Sequence, residues 1–350
     1  MRLLFAASAV LSVLLVISAQ GAEPSKGKSV PAPRNQNTQP IANPQAVESA
    51  QPMNGGVASR EVLTRVEVLL DRAHFSPGEI DGLDGENLKK AVTAFKHAHN
   101  LPNPDAIDGP LLKALTDADH SPVLQKYTLT AEDEKGPFIG TVPKDFRELA
   151  KLKRVGYANP EEELAEKFHM SPGLLRELNP NADFSKVGTA LTVAKPNGGT
   201  LAGSVDHVQV DKTLGQVRAY DSAGTALAVY PATVGSTDRP APSGNATVVS
   251  VAPDPTYTYD PRRVTFGPKS AGVLKIAPGP NNPVGSTWIA LSIATYGIHG
   301  TPDPDVVSKT ASHGCVRLTN WDAAALGKAV KKGTAVEFMG EEQPRPSKRS

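Results

Sequence analysis

The residues of this chain best suited to covalent chemistry are its only cysteine, Cys315, and two nearby histidines, His299 and His313. A free thiol is only about 3% thiolate at neutral pH, so a cysteine nucleophile needs a base or a cation beside it. The alternative is a structural role as a small buried hydrophobic residue, which is the commonest role of a lone cysteine. Because Gly314 precedes the cysteine and His313 lies two residues before it, we expect an exposed turn. The spacing therefore predicts a cysteine nucleophile paired with histidine.

The same segment offers groups for stabilising a reaction intermediate. Gly314 lets the backbone approach a substrate carbonyl, and the N–H groups of Gly314 and Cys315 are candidates for an oxyanion hole. The rival interpretation is a zinc site formed by His299, His313 and Cys315. Neither paired cysteines nor a His-x-x-x-His spacing accompanies these residues. We therefore expect no metal and no other cofactor.

The N-terminus has the pattern of an export signal. Arg2 is followed by the apolar run Leu3–Ile17 and then by small residues. The run is shorter than the stretch of about 20 residues that crosses a bilayer comfortably. We expect a signal peptide at 1–22, cleaved near Gly21 or Ala22, and no membrane span in the mature protein, with an uncleaved anchor as the alternative. No cysteine ends the run, so a lipoprotein is not expected.

Charge and composition further limit the function and the domain organisation that this chain can have. Lys+Arg 37 against Asp+Glu 36 leaves no basic field for nucleic acid. A chain of 350 residues is long enough for two or three domains. Residues 23–57 are mostly Pro, Gln, Asn, Ser and Ala, which bury too little surface to offset ordering entropy, so we predict a disordered linker. A short C-terminal tail is expected at 340–350.

Helical periodicity follows the linker. Apolar side chains recur at helical spacing in three groups, namely Leu63, Val66 and Leu70, then Leu88, Ala91, Val92 and Phe95, then Leu111, Leu112 and Leu115. Ile-Asp-Gly triplets at 80–82 and 107–109 lie just before the second and third groups. Together with the preceding Phe75-Ser-Pro-Gly-Glu, this pattern resembles the three-helix peptidoglycan-binding domain of cell wall hydrolases. The resemblance implies a wall-binding helical domain at 58–118.

A second small unit is expected at 127–196. Asn159-Pro160 and Ser171-Pro172 are typical helix starts. The run from Leu164 to Val193 resembles a lysin motif, a βααβ module that binds N-acetylglucosamine polymers. The usual strand and Gly-Asp turn before the first helix are missing, unless Tyr127–Thr130 is that strand and residues 131–154 are an insertion. The unit is therefore either a glycan-binding module or a structural spacer.

From about Leu201 the pattern changes to short strands separated by glycine and proline. The strands are predicted at His207–Val210, Val217–Tyr220, Leu227–Tyr230, Val248–Val251, Trp288–Ile293 and Ala335–Phe338. One helix is expected from Asn320 or Trp321 to about Val330. The predicted fold is therefore multidomain: a mostly β domain at 203–339, sandwich-like or barrel-like, preceded by a three-helix bundle and a βααβ unit.

The motif around the cysteine is similar to a known signature. His299-Gly300 followed by Ser312–Leu318 resembles the signature of the L,D-transpeptidases, the cysteine enzymes of bacterial peptidoglycan. Further segments agree, among them Tyr230–Gly235, Pro240–Gly244, Pro255–Tyr257, Pro278–Gly285 and the turn Lys332–Thr334. The resemblance covers about Val205 to Phe338. It implies a β-rich catalytic domain that needs no metal.

The resemblance also implies a role for each motif residue. Cys315 would be the nucleophile and His299 its general base, oriented by the backbone carbonyl of Gly300. His313 would shape the site. The oxyanion-binding and substrate-binding residues would be Gly314, Ser312, Arg317, Tyr296 and Tyr257, the last within a lid over the cleft.

The implied reaction joins peptidoglycan stem peptides. Cys315 would attack the L-centre carbonyl of diaminopimelate in a tetrapeptide stem and expel D-Ala, and a second stem's amine would resolve the thioester to a 3→3 cross-link. Resolution by water would make an L,D-carboxypeptidase, and resolution by a lipoprotein lysine an anchoring enzyme. A wall-binding scaffold with a dead catalytic domain is the alternative of another class. We expect a periplasmic or cell wall protein that binds stem peptides and glycan strands, with its nucleophile remote from both N-terminal modules.

Overall fold

The computed structural model describes residues 39–41, 43–53, 56–235, 239–264, 267–310, 312 and 314–341. The expected signal peptide at 1–22, the first part of the expected linker, His313 and nearly all of the expected tail lie outside these residues. Within the described ranges, no helix is both long enough and apolar enough to cross a membrane.

The N-terminal part of the described chain is helical. Its helices are α1 (Gln45–Ser49), α2 (Arg60–Arg72), α3 (Glu86–Ala98) and α4 (Gly109–Ala118). The side chain of Ser59 caps α2 by accepting from Val62 N–H at 3.4 Å, and Asp108 caps α4 by accepting from Leu111 N–H at 3.0 Å. The three predicted helices are thus present as α2, α3 and α4. Their role in wall binding stays a prediction.

The expected disordered linker at 23–57 needs a correction, because residues 39–53 include structured chain. Val47 on α1 is fully buried and Ile41 is 3% exposed. The carboxylate of Glu48 accepts hydrogen bonds from the backbone N–H groups of Val123 and Leu124, at 3.0 and 2.7 Å. Composition pointed to disorder, but two apolar side chains and one carboxylate suffice to fix a short segment on a surface that is already folded.

The middle of the chain forms a small α/β unit. Strands β1 (Leu124–Thr128) and β2 (Ala190–Ala194) pair antiparallel. Between them lie helices α5 (Ala131–Lys135), α6 (Phe146–Leu149), α7 (Pro160–Lys167) and α8 (Pro172–Leu178). Asn159 and Ser171 cap α7 and α8 from the positions expected of them. A strand therefore precedes the insertion, as the second interpretation of this unit required, and the insertion carries α5 and α6.

A nine-stranded sheet dominates the C-terminal part. Its strands in chain order are β3 (His207–Asp211), β4 (Gln216–Tyr220), β5 (Ala226–Pro231), β6 (Thr233–Val234), β7 (Gly244–Pro253), β10 (Thr287–Leu291), β11 (Gly297–His299), β12 (Val316–Arg317) and β13 (Ala335–Met339). The spatial order is β5-β4-β3-β13-β7-β10-β11-β12-β6. The two end strands, β5 and β6, are separated in sequence only by Ala232. The mostly β prediction is confirmed, and the sheet is nearly closed.

Two further elements complete this part. Strands β8 (Tyr257–Tyr259) and β9 (Leu274–Ile276) form a separate antiparallel pair. Helix α9 (Asn320–Ala329) packs on the sheet and buries Ala323 and Leu326 in its core. A Cβ added at Gly327 would lie 3.0 Å from the Thr287 side chain, so glycine allows this close approach.

The outer edge of β5 is covered by the helical part of the chain. Val229 forms a parallel bridge with Phe75, which follows α2. Ser76 N–H donates to the Val229 carbonyl, and Val229 N–H donates to the His74 carbonyl, each at 2.8 Å. The loop after α2 thus satisfies backbone groups that an edge strand would otherwise expose.

Candidate active site

Two short parallel strands place the predicted nucleophile beside the predicted base. In the register of β11 with β12, Ile298 pairs with Val316 and His299 pairs with Arg317. Side chains of paired residues point to the same face, and residues two apart along a strand share that face. Cys315 directly precedes β12, two residues before Arg317. The three side chains therefore converge on one side of the sheet.

That side of the sheet opens into a cavity of about 1020 Å³. Among the predicted site residues its walls include Cys315, His299, Ser312, Arg317, Tyr296 and Tyr257. The walls also include residues that the sequence did not single out, among them Phe146, Val284, Trp288 and Thr295. His313 lies outside the described residues, so its predicted role stays a prediction.

His299 is held as a neutral imidazole. Its Nδ1 lies 2.6 Å from the Gly300 carbonyl oxygen. A carbonyl only accepts, so Nδ1 carries the proton and Nε2 keeps a lone pair. Burial and then the charge of Arg317 lower the pKa of His299 to about 3, against backbone hydrogen bonds to Gly300 and Val284 that raise it. His299 can therefore accept a proton at neutral pH.

Packing holds the ring of His299 and the glycine that follows it. Trp288, paired with His299 across β10 and β11, stacks on it with ring centroids 5.5 Å apart and planes at 20°. Behind Gly300 lies Asn320, the first residue of α9. A Cβ at Gly300 would lie 2.2 Å from Asn320 Oδ1, which also accepts from Ser286 N–H at 3.0 Å. Glycine is needed here for close approach, and Asn320 supports the carbonyl that orients the imidazole.

Cys315 is also neutral in this arrangement. Burial raises the pKa of its thiol, while a backbone hydrogen bond from Gly297 and the charge of Arg317 act to lower that pKa. The thiol donates to the Thr295 carbonyl with an S–O distance of 3.8 Å. Thr295 has φ of 70°, a strained value for a β-branched residue. The resting pair is thus a thiol and an imidazole, both uncharged.

The turn before Cys315 is held by Ser312. Its hydroxyl donates to the Cys315 carbonyl at 2.7 Å, and Gly314 N–H donates to the same hydroxyl oxygen at 3.3 Å. Gly314 has φ of 110°, and a Cβ there would meet the Tyr296 ring at 3.1 Å. The Gly314 N–H is engaged within the turn, and its expected role in an oxyanion hole stays a prediction. Ser312 and Tyr296 shape the turn that presents the cysteine.

Arg317 is one of the arginines that line the cavity, together with Arg239 and Arg263. Burial lowers the pKa of its guanidinium, and the nearby Asp303 and Cys315 act to raise it. Its Nε is buried and has no hydrogen-bond partner among the residues that the structure describes. A guanidinium donor facing a cavity in this way can bind a carboxylate of a ligand.

One wall of the cavity comes from the middle unit of the chain. Phe146 on α6 lines the cavity together with Tyr257 on β8. Their ring centroids lie 6.0 Å apart in an edge-on arrangement. The expectation that the nucleophile is remote from both N-terminal modules is therefore wrong, since the insertion of the middle unit reaches the cavity of Cys315.

Within the described residues, no group of three His, Cys, Asp or Glu side chains could hold a metal ion.

The match with a known family covers this same region. Residues 205–338 match the model of the YkuD family, described as the L,D-transpeptidase catalytic domain. Residues 205–338 are therefore similar to the L,D-transpeptidase catalytic domain. The resemblance predicted from the motif is confirmed for this part, while the match leaves the modules at 58–118 and 127–196 as predictions.

Curated relatives agree over parts of their length. The chain is 29% identical over 193 residues to the probable L,D-transpeptidase YbiS of Escherichia coli (strain K12), covering 53% of this chain and 62% of YbiS. It is 39% identical over 66 residues to the putative L,D-transpeptidase YkuD of Bacillus licheniformis, covering 19% of this chain and 40% of that protein. The match thus spans less than two thirds of either relative.

Solved structures of L,D-transpeptidases are also similar. L,D-transpeptidase 1 of Mycobacterium tuberculosis has 21% sequence identity and a TM-score of 0.29, with 44% of this chain and 69% of that chain covered. For L,D-transpeptidase 3 of the same organism the identity is 14% and the TM-score 0.32, with 46% and 78% covered.

Proposed function

We propose that this protein is a peptidoglycan L,D-transpeptidase in which Cys315 is the acylated nucleophile and His299 the general base. The observation that carries the proposal is that a buried neutral imidazole and a thiol face one cavity inside an L,D-transpeptidase catalytic domain. A neutral imidazole can take the thiol proton as attack begins, which makes a weak nucleophile competent.

The first half-reaction forms a thioester. The thiol proton moves to Nε2 of His299 while Sγ bonds to the L-centre carbonyl carbon of diaminopimelate in a tetrapeptide stem. The backbone N–H of Cys315 stabilises the resulting oxyanion. When the intermediate collapses, the amide C–N bond breaks, and His299 returns the proton to the amine of the leaving D-Ala. Arg317 binds a carboxylate of the stem, and Tyr257 and Tyr296 flank it.

The second half-reaction selects the product. The side-chain amine of a second stem attacks the thioester, His299 accepts its proton, and a 3→3 cross-link forms with the thiol restored. An amine, once deprotonated, is a stronger nucleophile than water, which favours transfer over hydrolysis. Attack by water would give L,D-carboxypeptidase activity, and attack by a lipoprotein lysine would give anchoring.

Product analysis tests this proposal. Purified protein is incubated with tetrapeptide muropeptides, and the products are separated and weighed by mass spectrometry. Cross-linked dimers should exceed free tripeptide, and Cys315→Ala should form neither. A carbapenem should add once, to Cys315, and not to the Ala variant. Dominant tripeptide at high acceptor concentration would reassign the protein as a carboxypeptidase, and an adduct on the Ala variant would remove Cys315 from its role.

We further propose that the protein works in the periplasm or cell wall after export, and that the units at 58–118 and 127–196 bind peptidoglycan. The motifs of both units support wall binding, as does the chemistry of the catalytic domain. A tethered binding unit raises the local concentration of substrate. Pull-down by insoluble sacculi compares the full chain with a fragment starting near Leu201. The amount of each protein that sediments without sacculi is subtracted, because the fragment lacks the loop that covers the edge of β5. Equal net binding by the fragment would show that these units do not bind the wall.

A further inference from the structure

The insertion of the middle unit packs against the small strand pair β8–β9. Leu149, the last residue of α6, is 4% exposed, and Val155 and Ile276 are fully buried with it. Ile276 ends β9, so this apolar cluster joins the insertion to the catalytic domain. Tyr257 of β8 and Phe146 of α6 pack on its border.

Backbone hydrogen bonds fix the same contact. Val155 N–H donates to the Pro278 carbonyl at 2.9 Å, and Asn281 N–H donates to the Val155 carbonyl at 3.1 Å. A Cβ at Gly279, whose φ is 145°, would lie only 2.1 Å from the Val155 carbonyl oxygen. Asn281 Nδ2 also donates to the Gly156 carbonyl at 3.0 Å. These hydrogen bonds join the backbone after α6 to the backbone after β9. Both segments lie outside the nine-stranded sheet.

Phe146 is the point where this contact meets the cavity. Its ring centroid lies 6.0 Å from that of Tyr257 and 5.0 Å from that of Tyr259, both edge-on. Asp145 caps the short helix α6 by accepting from Arg147 N–H at 2.7 Å. Both tyrosines belong to β8, so Phe146 contacts the wall of the cavity and is itself part of that wall.

The strand pair needs this support. Strands β8 and β9 have three residues each and lie outside the nine-stranded sheet. An isolated two-stranded pair is marginally stable in water at best. The apolar face of this pair, with Tyr259 and Ile276 fully buried, is covered partly by α6 and Val155. The position of Tyr257 in the cavity therefore depends on the insertion.

We infer that Phe146 is a positioning residue of the active site, through which the insertion at 131–154, with Val155 directly after it, holds β8 and its Tyr257 in place for the stem peptide. The inference rests on the proposed function for the identity of the substrate. It makes the middle unit a structural part of the catalytic cavity in addition to any role in wall binding. Since Phe146 lies against the wall and not against Sγ, its loss should weaken substrate binding more than the chemical step.

Turnover of a soluble tetrapeptide by the full chain tests the inference. Phe146→Ala should raise KM about tenfold with a smaller change in kcat, because two edge-on aromatic contacts are lost. Phe146→Tyr keeps the ring and should restore KM. The matched control is Phe184→Ala, which removes a partly buried ring from the same unit but from a different core and away from the cavity. This control should leave KM unchanged.

Amide hydrogen exchange at Tyr257–Tyr259 and Leu274–Ile276 gives a second measurement that needs no substrate. Phe146→Ala should speed exchange there and leave Thr287–Leu291 unchanged, whereas Phe184→Ala should do neither. Unchanged KM and exchange in Phe146→Ala, or equal effects in Phe184→Ala, would overturn the inference. If the wild type turns over no tetrapeptide, the proposed function fails, and the exchange result alone decides on Phe146.

Discussion

At the scale of single residues, the proposed reactive pair, Cys315 and His299, differs from a thiolate–imidazolium ion pair. Burial raises the pKa of the Cys315 thiol and lowers the pKa of His299 to about 3. Both shifts favour the uncharged forms, since a buried charge lacks the solvation of water. In the proposed mechanism the proton therefore moves during attack, and the neutral imidazole can accept it over a wide range of pH.

The pH dependence of acylation follows from the pKa shifts of Cys315 and His299. The His299 imidazole is protonated only as the pH falls towards about 3. The Cys315 thiol ionises only at a pH above the ordinary pKa of a cysteine. Between about pH 5 and about pH 8 neither group titrates, so the second-order rate constant for carbapenem acylation should change less than about threefold. Stopped-flow measurement of that rate constant is the check. A tenfold rise for each pH unit would show that a pre-formed thiolate reacts.

The two histidines near Cys315 should contribute unequally. His299→Ala removes the proposed base and should lower single-turnover acylation by about 10² to 10⁴-fold. His313→Ala should cost less, because no proton transfer is assigned to His313. Quenched-flow mass spectrometry of the two variants measures both losses. A larger loss for His313→Ala would exchange the two roles.

At the scale of elements, the parallel pair β11–β12 and the start of α9 together define the site. The register places His299 beside Arg317, and Asn320 fills the space behind Gly300. Asn320 is itself bound on its other side, since Nδ2 donates to Glu166 Oε1 on α7 at 3.0 Å. Asn320 therefore links Glu166 of the middle unit to the backbone beside the proposed base, His299.

Gly300→Ala should test this arrangement. The added Cβ would meet Asn320 Oδ1 at 2.2 Å, and Asn320 cannot retreat without losing its bond from Ser286 N–H. We expect about 1–3 kcal/mol less unfolding free energy and slower acylation, since the Gly300 carbonyl orients the imidazole. Urea unfolding and carbapenem acylation measure the two effects. Gly109→Ala, where no atom lies within 4 Å, is the control, and equal stability of both variants would contradict the argument.

The same elements show what the sequence can and cannot predict. Alternating residues predicted β3, β4 and β5 to within a residue or two, because each buries one face in the core. Strands β11 and β12 are too short to give a period, and only the motif residues His299 and Cys315 marked them. The contact of Phe146 with Tyr257 joins residues 111 apart in sequence (257 − 146). No local pattern encodes such a contact, so the role of the insertion was missed.

At the scale of the whole molecule, a buried polar network lies where the three units meet. Asp71 of α2 contacts His169 of the middle unit, with Nδ1 and Oδ1 3.0 Å apart. Trp321 of α9 stacks on His169 with centroids 4.9 Å apart. Asp322 accepts from the hydroxyl of Ser76 at 2.9 Å. Burial and then the charge of Asp71 raise the pKa of Asp322 to about 7.

This network should make stability depend on pH. The folded protein holds a proton on Asp322 that the unfolded chain releases near 3.8, so stability is fully present below 3.8 and is lost as the pH rises towards about 7. Asp322→Asn removes that titration and can still accept from Ser76. The variant should gain unfolding free energy relative to wild type as the pH rises, most at about pH 8 and least at about pH 4. Urea unfolding measures the free energy of both proteins across this range of pH. A constant difference between the variant and the wild type would show that Asp322 does not titrate in this way.

The bridge between Phe75 and Val229 has a consequence for solubility. The loop His74–Ser76 covers the outer edge of β5, so cutting the chain near Leu201 would leave that edge bare. Bare strand edges recruit other strands, which leads to edge-to-edge aggregation. The apparent molar mass of the fragment from Leu201, measured by light scattering, should therefore grow with concentration. The apparent molar mass of the full chain should stay constant. Replacing Val229, which points its backbone to this edge, by proline in the fragment should suppress the growth, because proline offers no N–H for pairing.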